Sequence, residues 1–274
     1  MSMEATTAVE TAPPQTGTSQ TSQKNRSPAA TLLADEAMAA LHNVRARSQY
    51  RTLSEQEIEA RQKRDEETKR REAAERSAAL WAAADAPPRF KSVNLDKLPD
   101  GLPDQYHQAC GVVRTLLKQP AIMCLIGSNG TGKTAIACGL IRDFCLEHRR
   151  ALYCKHVHYF DAMKSTFCPS AKMTLEERNK TFFVPELLVV DEFGEGICQS
   201  DDPARDVTQF ERRRFTTLVD DRDAAGKSTV IISNLGRDRL LDALGTSVES
   251  RLKKGGIFPC HWEDLRGRNL KTAI

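Results

Sequence analysis

Residues 125–140 read LIGSNGTGKTAIACGL, and this stretch decides how the rest of the chain is interpreted. From Gly127 to Thr134 it follows the pattern G-x-x-x-x-G-K-[ST], between an apolar strand-like run and an amphipathic helix-like segment. Glycines in such a loop let backbone N–H groups converge on a phosphate at the start of the following helix. The pattern therefore predicts a nucleoside-triphosphate site in a strand–loop–helix unit.

The loop also predicts which groups would hold the ligand. Lys133 would contact the β- and γ-phosphates, and the Thr134 hydroxyl would hold Mg²⁺. The predicted phosphate-binding residues are Gly127, Ser128, Asn129, Gly130, Thr131, Gly132, Lys133 and Thr134. ATP with Mg²⁺ is the expected ligand, but every class of phosphate-loop protein shares these residues.

An acidic pair follows a second apolar run, LLVV, at residues 187–190. Asp191, at the end of this predicted strand, is expected in the Mg²⁺ shell. Glu192 can act as a general base that polarises an attacking water. The pair therefore favours hydrolysis over phosphoryl transfer to a small acceptor.

Two later residues could complete a hydrolytic site. Asn234 ends the apolar run STVIIS, where it could orient the attacking water or merely cap the next helix. Arg251 falls on a predicted helix beyond that strand. It could act in trans on nucleotide held by a neighbouring subunit, or it could simply face solvent.

Strand-length apolar runs alternate with helix-length amphipathic segments after Pro87. Such alternation predicts an α/β fold with a parallel sheet covered by helices on both faces. Before Pro87, residues 1–30 are polar and predicted to be disordered, whereas residues 31–44 and 53–81 have helical patterns. The predicted organisation is a tail at 1–30, a helical N-terminal arm at 31–85 and a core at 86–274.

Composition limits the classes of protein that remain. The 274 residues, 40% hydrophobic, suffice for one packed domain and an appendage, and the net charge of +3 does not indicate a nucleic-acid binder. No run of about 18 apolar residues indicates a membrane span, so a cytoplasmic protein is expected.

The eight cysteines form no C-x-x-C pair and are expected to be reduced. Cys154, His156 and His158 alternate as if on one strand face, but no fourth metal ligand is evident.

The order of these motifs resembles an AAA+ ATPase. Two later stretches narrow the resemblance to the DnaC-type helicase loaders and the related IstB-like transposition ATPases. They are NLGRDRLLDALGTSVESRL at residues 234–252 and FPCHWEDLRGR at residues 258–268. The resemblance runs from APPRF at residue 86 to residue 268, about two-thirds of the chain.

This resemblance implies a P-loop AAA+ core with a five-stranded parallel sheet, no C-terminal lid and a preceding helical arm. ATP would lie between subunits that self-associate through their cores, with Arg251 completing the neighbour's site and Arg266 near the phosphates. Single-stranded DNA would bind along FDAMKSTFCPSAKM at residues 160–173, where Lys164 and Phe167 could supply charge and stacking. Phe160 and Phe167 could instead be core residues, and the basic run 212–214 could be a solvated helix face.

The expected function is ATP-dependent delivery of a hexameric replicative DNA helicase onto single-stranded DNA during replication. The arm at 31–85 would capture the helicase, and no membrane is involved. One alternative is an IstB-like transposition helper that acts on double-stranded DNA, and another is a nucleotide switch that barely hydrolyses ATP. The sequence departs from typical loaders in a longer segment at 193–210 and in lacking N-terminal cysteine pairs, so its partner recognition stays open.

Overall fold

The structure, a computed structural model, describes residues 36–40, 54–168, 170–194 and 209–266. The chain divides into two units, Met1–Arg61 and Gln62–Ile274. In the first unit, residues 36–40 are helical and exposed, within the short helix predicted there. The predicted disordered tail at 1–30 and most of that short helix lie outside the described residues.

A long helix, α1 (Glu55–Ala83), confirms the helix predicted over residues 53–81. Ser54 begins it with a capping box: the Ser54 hydroxyl accepts from the Glu57 N–H at 3.3 Å, and the Glu57 carboxylate accepts from the Ser54 N–H at 3.0 Å. Ala84, directly after α1, is fully buried, and its carbonyl accepts from the Tyr153 N–H at 2.7 Å. Ala84 thus packs against Tyr153 within the larger unit, Gln62–Ile274, and the core boundary at Ala86 stays a prediction.

Five parallel strands form one sheet in the order β2-β3-β4-β1-β5, which confirms the predicted fold class. The elements after α1 in the described residues are a 3₁₀ turn (Pro88–Phe90), α2 (Asp104–Leu116), β1 (Ile122–Ile126), α3 (Lys133–Leu146), β2 (Ala151–Lys155), α4 (His156–Lys164), a 3₁₀ turn (Ser165–Phe167), α5 (Leu175–Phe183), β3 (Leu187–Phe193), α6 (Gln209–Ala224), β4 (Ser228–Ser233), α7 (Arg237–Leu244), α8 (Thr246–Gly255) and β5 (Gly256–Pro259).

Side chains of each strand alternate between two hydrophobic cores. On β1, Met123 and Leu125 join the core formed with α2 and α3, whereas Cys124 and Ile126 join the core formed with α4, α6, α7 and α8. Because helices cover both faces, β1 is buried along its whole length. This burial explains why the strands have continuous apolar sequences instead of alternating ones.

A buried arginine connects two segments at the amino ends of β3 and β4. Arg222 of α6 is fully buried, and its Nη1 donates to the carbonyls of Phe182 and Pro185, each at 2.9 Å. Its Nε donates to Thr229 Oγ1 at 2.9 Å, and its Nη2 donates to the Ser228 carbonyl. Burial lowers the pKa of Arg222 to about 10, so the guanidinium stays charged at neutral pH. The arginine therefore holds the segment before β3 against the start of β4.

The alternating Cys154, His156 and His158 do not share a strand face, because β2 ends at Lys155 and α4 begins at His156. The His156 ring is buried and packs edge-on against Phe160 and Phe193, with centroids 4.8 and 4.5 Å away. Burial lowers the pKa of His156 to about 4. The imidazole is therefore a neutral core group.

The part of the chain that the structure describes holds no cluster of three or more His, Cys, Asp or Glu side chains placed to bind a metal ion. Its helices are also too short or too polar to cross a membrane. Six of the seven cysteines described as free are buried, where a thiol packs as a small apolar group.

Candidate nucleotide-binding site

Most of the predicted site residues surround one cavity at the carboxyl ends of β1, β3 and β4. The cavity has a volume of about 790 Å³. Its lining includes Asn129, Gly130, Gly132, Lys133, Thr134, Asp191, Glu192, Asn234 and Arg266. Gly127 and Ser128 line a neighbouring depression that Asn234 also borders, and Thr131 is fully buried. Ligands of open parallel sheets bind at this edge, so the fold supports the predicted position.

The phosphate loop has the backbone conformation that its glycines permit. Gly130 and Gly132 have φ angles of 85° and 80°, in the left-handed region that favours glycine. The buried Lys133 folds over the loop, and its Nζ donates to the carbonyls of Gly127 and Ser128 at 2.8 and 2.7 Å. Positive charge and the amino end of α3 therefore face the same space, which suits an anion.

Thr134 and Asp191 meet at the base of the cavity. The Thr134 hydroxyl donates to Asp191 Oδ2 at 2.8 Å, and the Tyr153 hydroxyl donates to the same oxygen at 2.9 Å. Burial and the neighbouring Asp191 raise the pKa of Tyr153, so its hydroxyl keeps its proton and stays a donor. A hydroxyl and a carboxylate oxygen fit Mg²⁺, which prefers oxygen ligands and takes others from phosphates and water.

Glu192 lies at an irregularity of β3. The register of β3 against β4 shifts between Val190 and Phe193, and Glu192 has a φ of 58°. A bulge re-aims side chains, and a positive φ at a residue other than glycine costs about 1–2 kcal/mol. The Glu192 carboxylate accepts from Lys155 Nζ at 2.7 Å. The bulge therefore presents the predicted base at the cavity with a lysine beside it.

A further wall of the cavity comes from the chain between α1 and α2 and from Tyr106 near the start of α2. It combines apolar side chains with two cationic ones. The wall residues include Phe90, Val93, Leu98, Leu102, Tyr106, Arg89 and Lys97. An apolar wall beside a phosphate loop suits a ligand with a flat apolar end and an anionic end.

The functional candidates on β2 and on that wall belong to no sequence motif. Tyr153 and Lys155 contact Asp191 and Glu192, although neither was predicted to lie at the site. A usable signal existed for Lys155, because it follows the apolar run ALYC as Asp191 follows LLVV, and the two residues pair in parallel register. Residues 90–106 carry no comparable motif, so their place in the wall could not have been inferred.

Arg251 does not line the cavity. Its Nη1 donates to the Ser247 carbonyl and hydroxyl at 2.9 and 2.8 Å, and its Nε lies 3.1 Å from a carboxylate oxygen of Asp220. A second acidic residue of α6, Asp223, is 3.6 Å from the same nitrogen. Arg251 is thus held between α8 and α6 of its own chain, and its action on a neighbouring subunit stays a prediction.

The region predicted to contact DNA is only partly exposed. Phe160 is buried, so it is a core residue and cannot stack on a base. Phe167 is 60% exposed and packs edge-on against Phe210, with centroids 5.8 Å apart. Arg214 lies over the Phe210 ring, 5.6 Å from its centroid. We call Phe167, Phe210 and Arg214 the aromatic patch.

Fold and site together define a class of protein. A phosphate loop after β1, an acidic pair at the end of β3, a polar end of β4 and the strand order β2-β3-β4-β1-β5 make a P-loop core of the AAA+ type. The chain is similar, within that class, to the DnaC-type helicase loaders, as its motifs predicted.

A comparison with curated proteins supports the similarity to DnaC-type loaders. The replicative helicase loader DnaC of Escherichia coli (strain K12) is 26% identical over 146 residues, which cover 52% of this chain and 55% of that protein. The chain thus spans about half the length of the curated relatives it matches. No protein-family model matches the sequence.

Solved structures support the fold. A crystal structure of the DnaC helicase loader superposes with a TM-score of 0.50 at 20% identity, over 63% of this chain and 99% of that one. A replication initiator DnaA bound to AMPPCP and single-stranded DNA gives a TM-score of 0.52 at 17% identity, over 65% of this chain and 52% of that one. The α/β fold with a five-stranded parallel sheet that the motifs predicted is therefore confirmed.

Proposed function

We propose that this protein is an ATP-dependent loader that delivers a replicative DNA helicase onto single-stranded DNA. The proposed dependence on ATP rests on the cavity, because the cavity combines Lys133 with the Thr134–Asp191 pair and Glu192. The similarity to DnaC loaders supports the task, since a phosphate loop alone is common to many classes. Capture of the helicase by residues 31–85 is part of this proposal.

Each residue of the site has a distinct role in the proposed reaction. The loop N–H groups and Lys133 bind the β- and γ-phosphates. Thr134 and Asp191 would hold Mg²⁺, which would supply positive charge next to the phosphate oxygens. Glu192 takes a proton from the attacking water, which Asn234 orients, while Lys155 sets the position of the Glu192 carboxylate.

Retention of the helicase tests the proposal directly. The full chain, immobilised with a non-hydrolysable ATP analogue, is expected to retain the hexameric replicative helicase of its own host. Omission of nucleotide provides the matched comparison. If no stable complex forms in the presence of nucleotide, the loader proposal is wrong, whatever the chain does with ATP.

The aromatic patch favours single-stranded over double-stranded DNA as the proposed nucleic acid. Unpaired bases can stack on exposed aromatic rings, and nearby cations attract the backbone. Filter binding with both forms of DNA distinguishes the loader from a transposition helper. Tighter binding of double-stranded DNA would favour the transposition helper.

Replacing Glu192 by glutamine is expected to lower the rate of ATP hydrolysis about 100-fold, because the amide cannot accept the proton of the attacking water. The affinity for ATP should stay within about twofold, since a general base acts on the attacking water in the transition state and not on the bound phosphates. Steady-state phosphate release with single-stranded DNA present measures the rate. The exposed Glu176→Gln is the control. Equal rates for wild type and Glu192→Gln would indicate a nucleotide switch.

Replacing Arg251 by alanine is expected to leave ATP affinity nearly unchanged, because Arg251 lies outside the cavity of its own chain. The stimulation of hydrolysis by assembly should disappear, since a cation from the adjacent subunit stabilises the transition state. Hydrolysis rates against protein concentration measure this loss, and the exposed Lys253→Ala on the same helix is the control. A loss of affinity as large as that of Lys133→Ala would contradict a role in trans.

A further inference from the structure

The chain after β5 lies along the phosphate loop, and its last described residues, Leu265 and Arg266, also line the cavity. We call Cys260–Arg266 the strap. The Cys260 N–H donates to the Ile126 carbonyl at 2.6 Å, at the end of β1. Further along, the Leu265 N–H donates to the Gly130 carbonyl at 2.9 Å. The strap therefore follows the loop from its beginning to its middle.

Trp262 makes a third bond between the strap and the loop. Its indole Nε1–H donates to the Thr131 carbonyl at 2.7 Å, across 131 positions of sequence. The indole is oriented by Tyr106 of α2, edge-on with centroids 5.6 Å apart. Since Tyr106 is buried in the core and also lines the cavity, the indole has a fixed support.

The three loop glycines face the strap or its support as well as the cavity. A Cβ on Gly127 would lie 2.5 Å from the Cys260 carbonyl oxygen, and one on Gly130 would overlap the Asp264 carboxylate. A Cβ on Gly132 would lie 2.8 Å from the Tyr106 ring. Glycine is thus required by the contacts with the strap and with Tyr106, in addition to the left-handed conformation that it permits.

The carbonyls of the loop are divided between two sets of donors. A loop that turns its N–H groups inwards turns its carbonyls outwards, where they need partners. Lys133 supplies donors to Gly127 and Ser128, and the strap supplies donors to Gly130 and Thr131. When Lys133 turns towards phosphate, the strap bonds still hold the second half of the loop.

We infer that the strap pre-organises the phosphate loop and that Trp262 is a positioning residue for nucleotides with a β-phosphate. This inference rests on the proposed nucleotide binding, and it identifies the contacts that keep the loop in its binding conformation. Loss of the indole N–H leaves the Thr131 carbonyl without that donor and frees the part of the loop that faces the β-phosphate. AMP, which lacks that phosphate, does not depend on this part of the loop.

The test replaces Trp262 by phenylalanine, which keeps an aromatic ring and removes the donor. We expect ADP and a non-hydrolysable ATP analogue to bind about fivefold more weakly, the loss given by one hydrogen bond. AMP affinity, measured by competition, should be unchanged. Trp81→Phe is the matched control, because Trp81 is the other tryptophan of the chain.

The outcomes separate this inference from the proposed function. Wild-type affinity of Trp262→Phe for ADP, or an equal loss for ADP and AMP, would overturn the positioning role, and a lowered melting temperature with unchanged affinities would do the same. If wild type bound the ATP analogue and Lys133→Ala did not, the proposed nucleotide site would stand even then. Absence of binding by wild type would remove both.

Discussion

Replacing Lys133 by alanine is expected to weaken ATP binding about 1,000-fold. Charge-assisted hydrogen bonds contribute about 1.5–3 kcal/mol each, so loss of the β- and γ-phosphate contacts removes about 4 kcal/mol. The effect is large because the ammonium is buried at the loop, where water competes poorly for the phosphate. Equilibrium titration with a fluorescent ATP analogue measures it.

A second substitution controls for the loss of charge. Lys118, exposed just after α2, is replaced by alanine in parallel and should leave the affinity unchanged. Because Lys133 also bonds two loop carbonyls, the unfolding midpoint of each variant is compared with wild type. An affinity of folded Lys133→Ala within about threefold of wild type would contradict the assignment, since a 1,000-fold loss is expected.

The parts of the site that could be predicted are those in which local sequence determines local geometry. The phosphate loop is one continuous stretch, and its glycines, lysine and threonine act within eight positions of one another. Asp191 and Asn234 follow apolar runs, and ends of parallel strands meet at one edge of a sheet. The cavity at the ends of β1, β3 and β4 follows from these two rules.

The parts that could not be predicted depend on packing between distant segments. Lys155 reaches Glu192 across 37 positions, and Trp262 reaches Thr131 across 131. The sequence could place Lys155 at the end of an apolar run, but neither contact follows from a local pattern, because each depends on which segments pack together. The contacts of Arg251 could not be predicted either. The sequence predicted its helix but not its contact with the Asp220 carboxylate.

The buried contacts of Arg222 could not be predicted either. Replacing Arg222 is expected to have the largest effect on the free energy of unfolding. Arg222→Met should lower the free energy of unfolding by about 4 kcal/mol, because it leaves several buried carbonyls without a donor. Methionine retains much of the buried apolar stem, so the loss reports mainly the guanidinium bonds. Urea unfolding of the full chain, followed by circular dichroism, measures the change.

Arg213→Met on the exposed side of α6 is the matched control and should shift the free energy of unfolding by less than about 0.5 kcal/mol. If Arg222→Met cannot be obtained folded, Arg222→Lys should be intermediate, since one ammonium can reach only part of the carbonyl set. A change below about 1 kcal/mol for Arg222→Met would contradict this interpretation, because each unsatisfied buried carbonyl alone costs that much.

The position of Arg222 also separates stability from function. Thr229, which it contacts near the start of β4, and Asn234, which follows β4 and lines the cavity, are five residues apart, or roughly 16 Å at 3.3 Å per residue. Under conditions where Arg222→Lys is fully folded, its affinity for the ATP analogue should therefore equal that of wild type. A loss of affinity in the folded variant would show that the amino ends of β3 and β4 influence the cavity through the sheet.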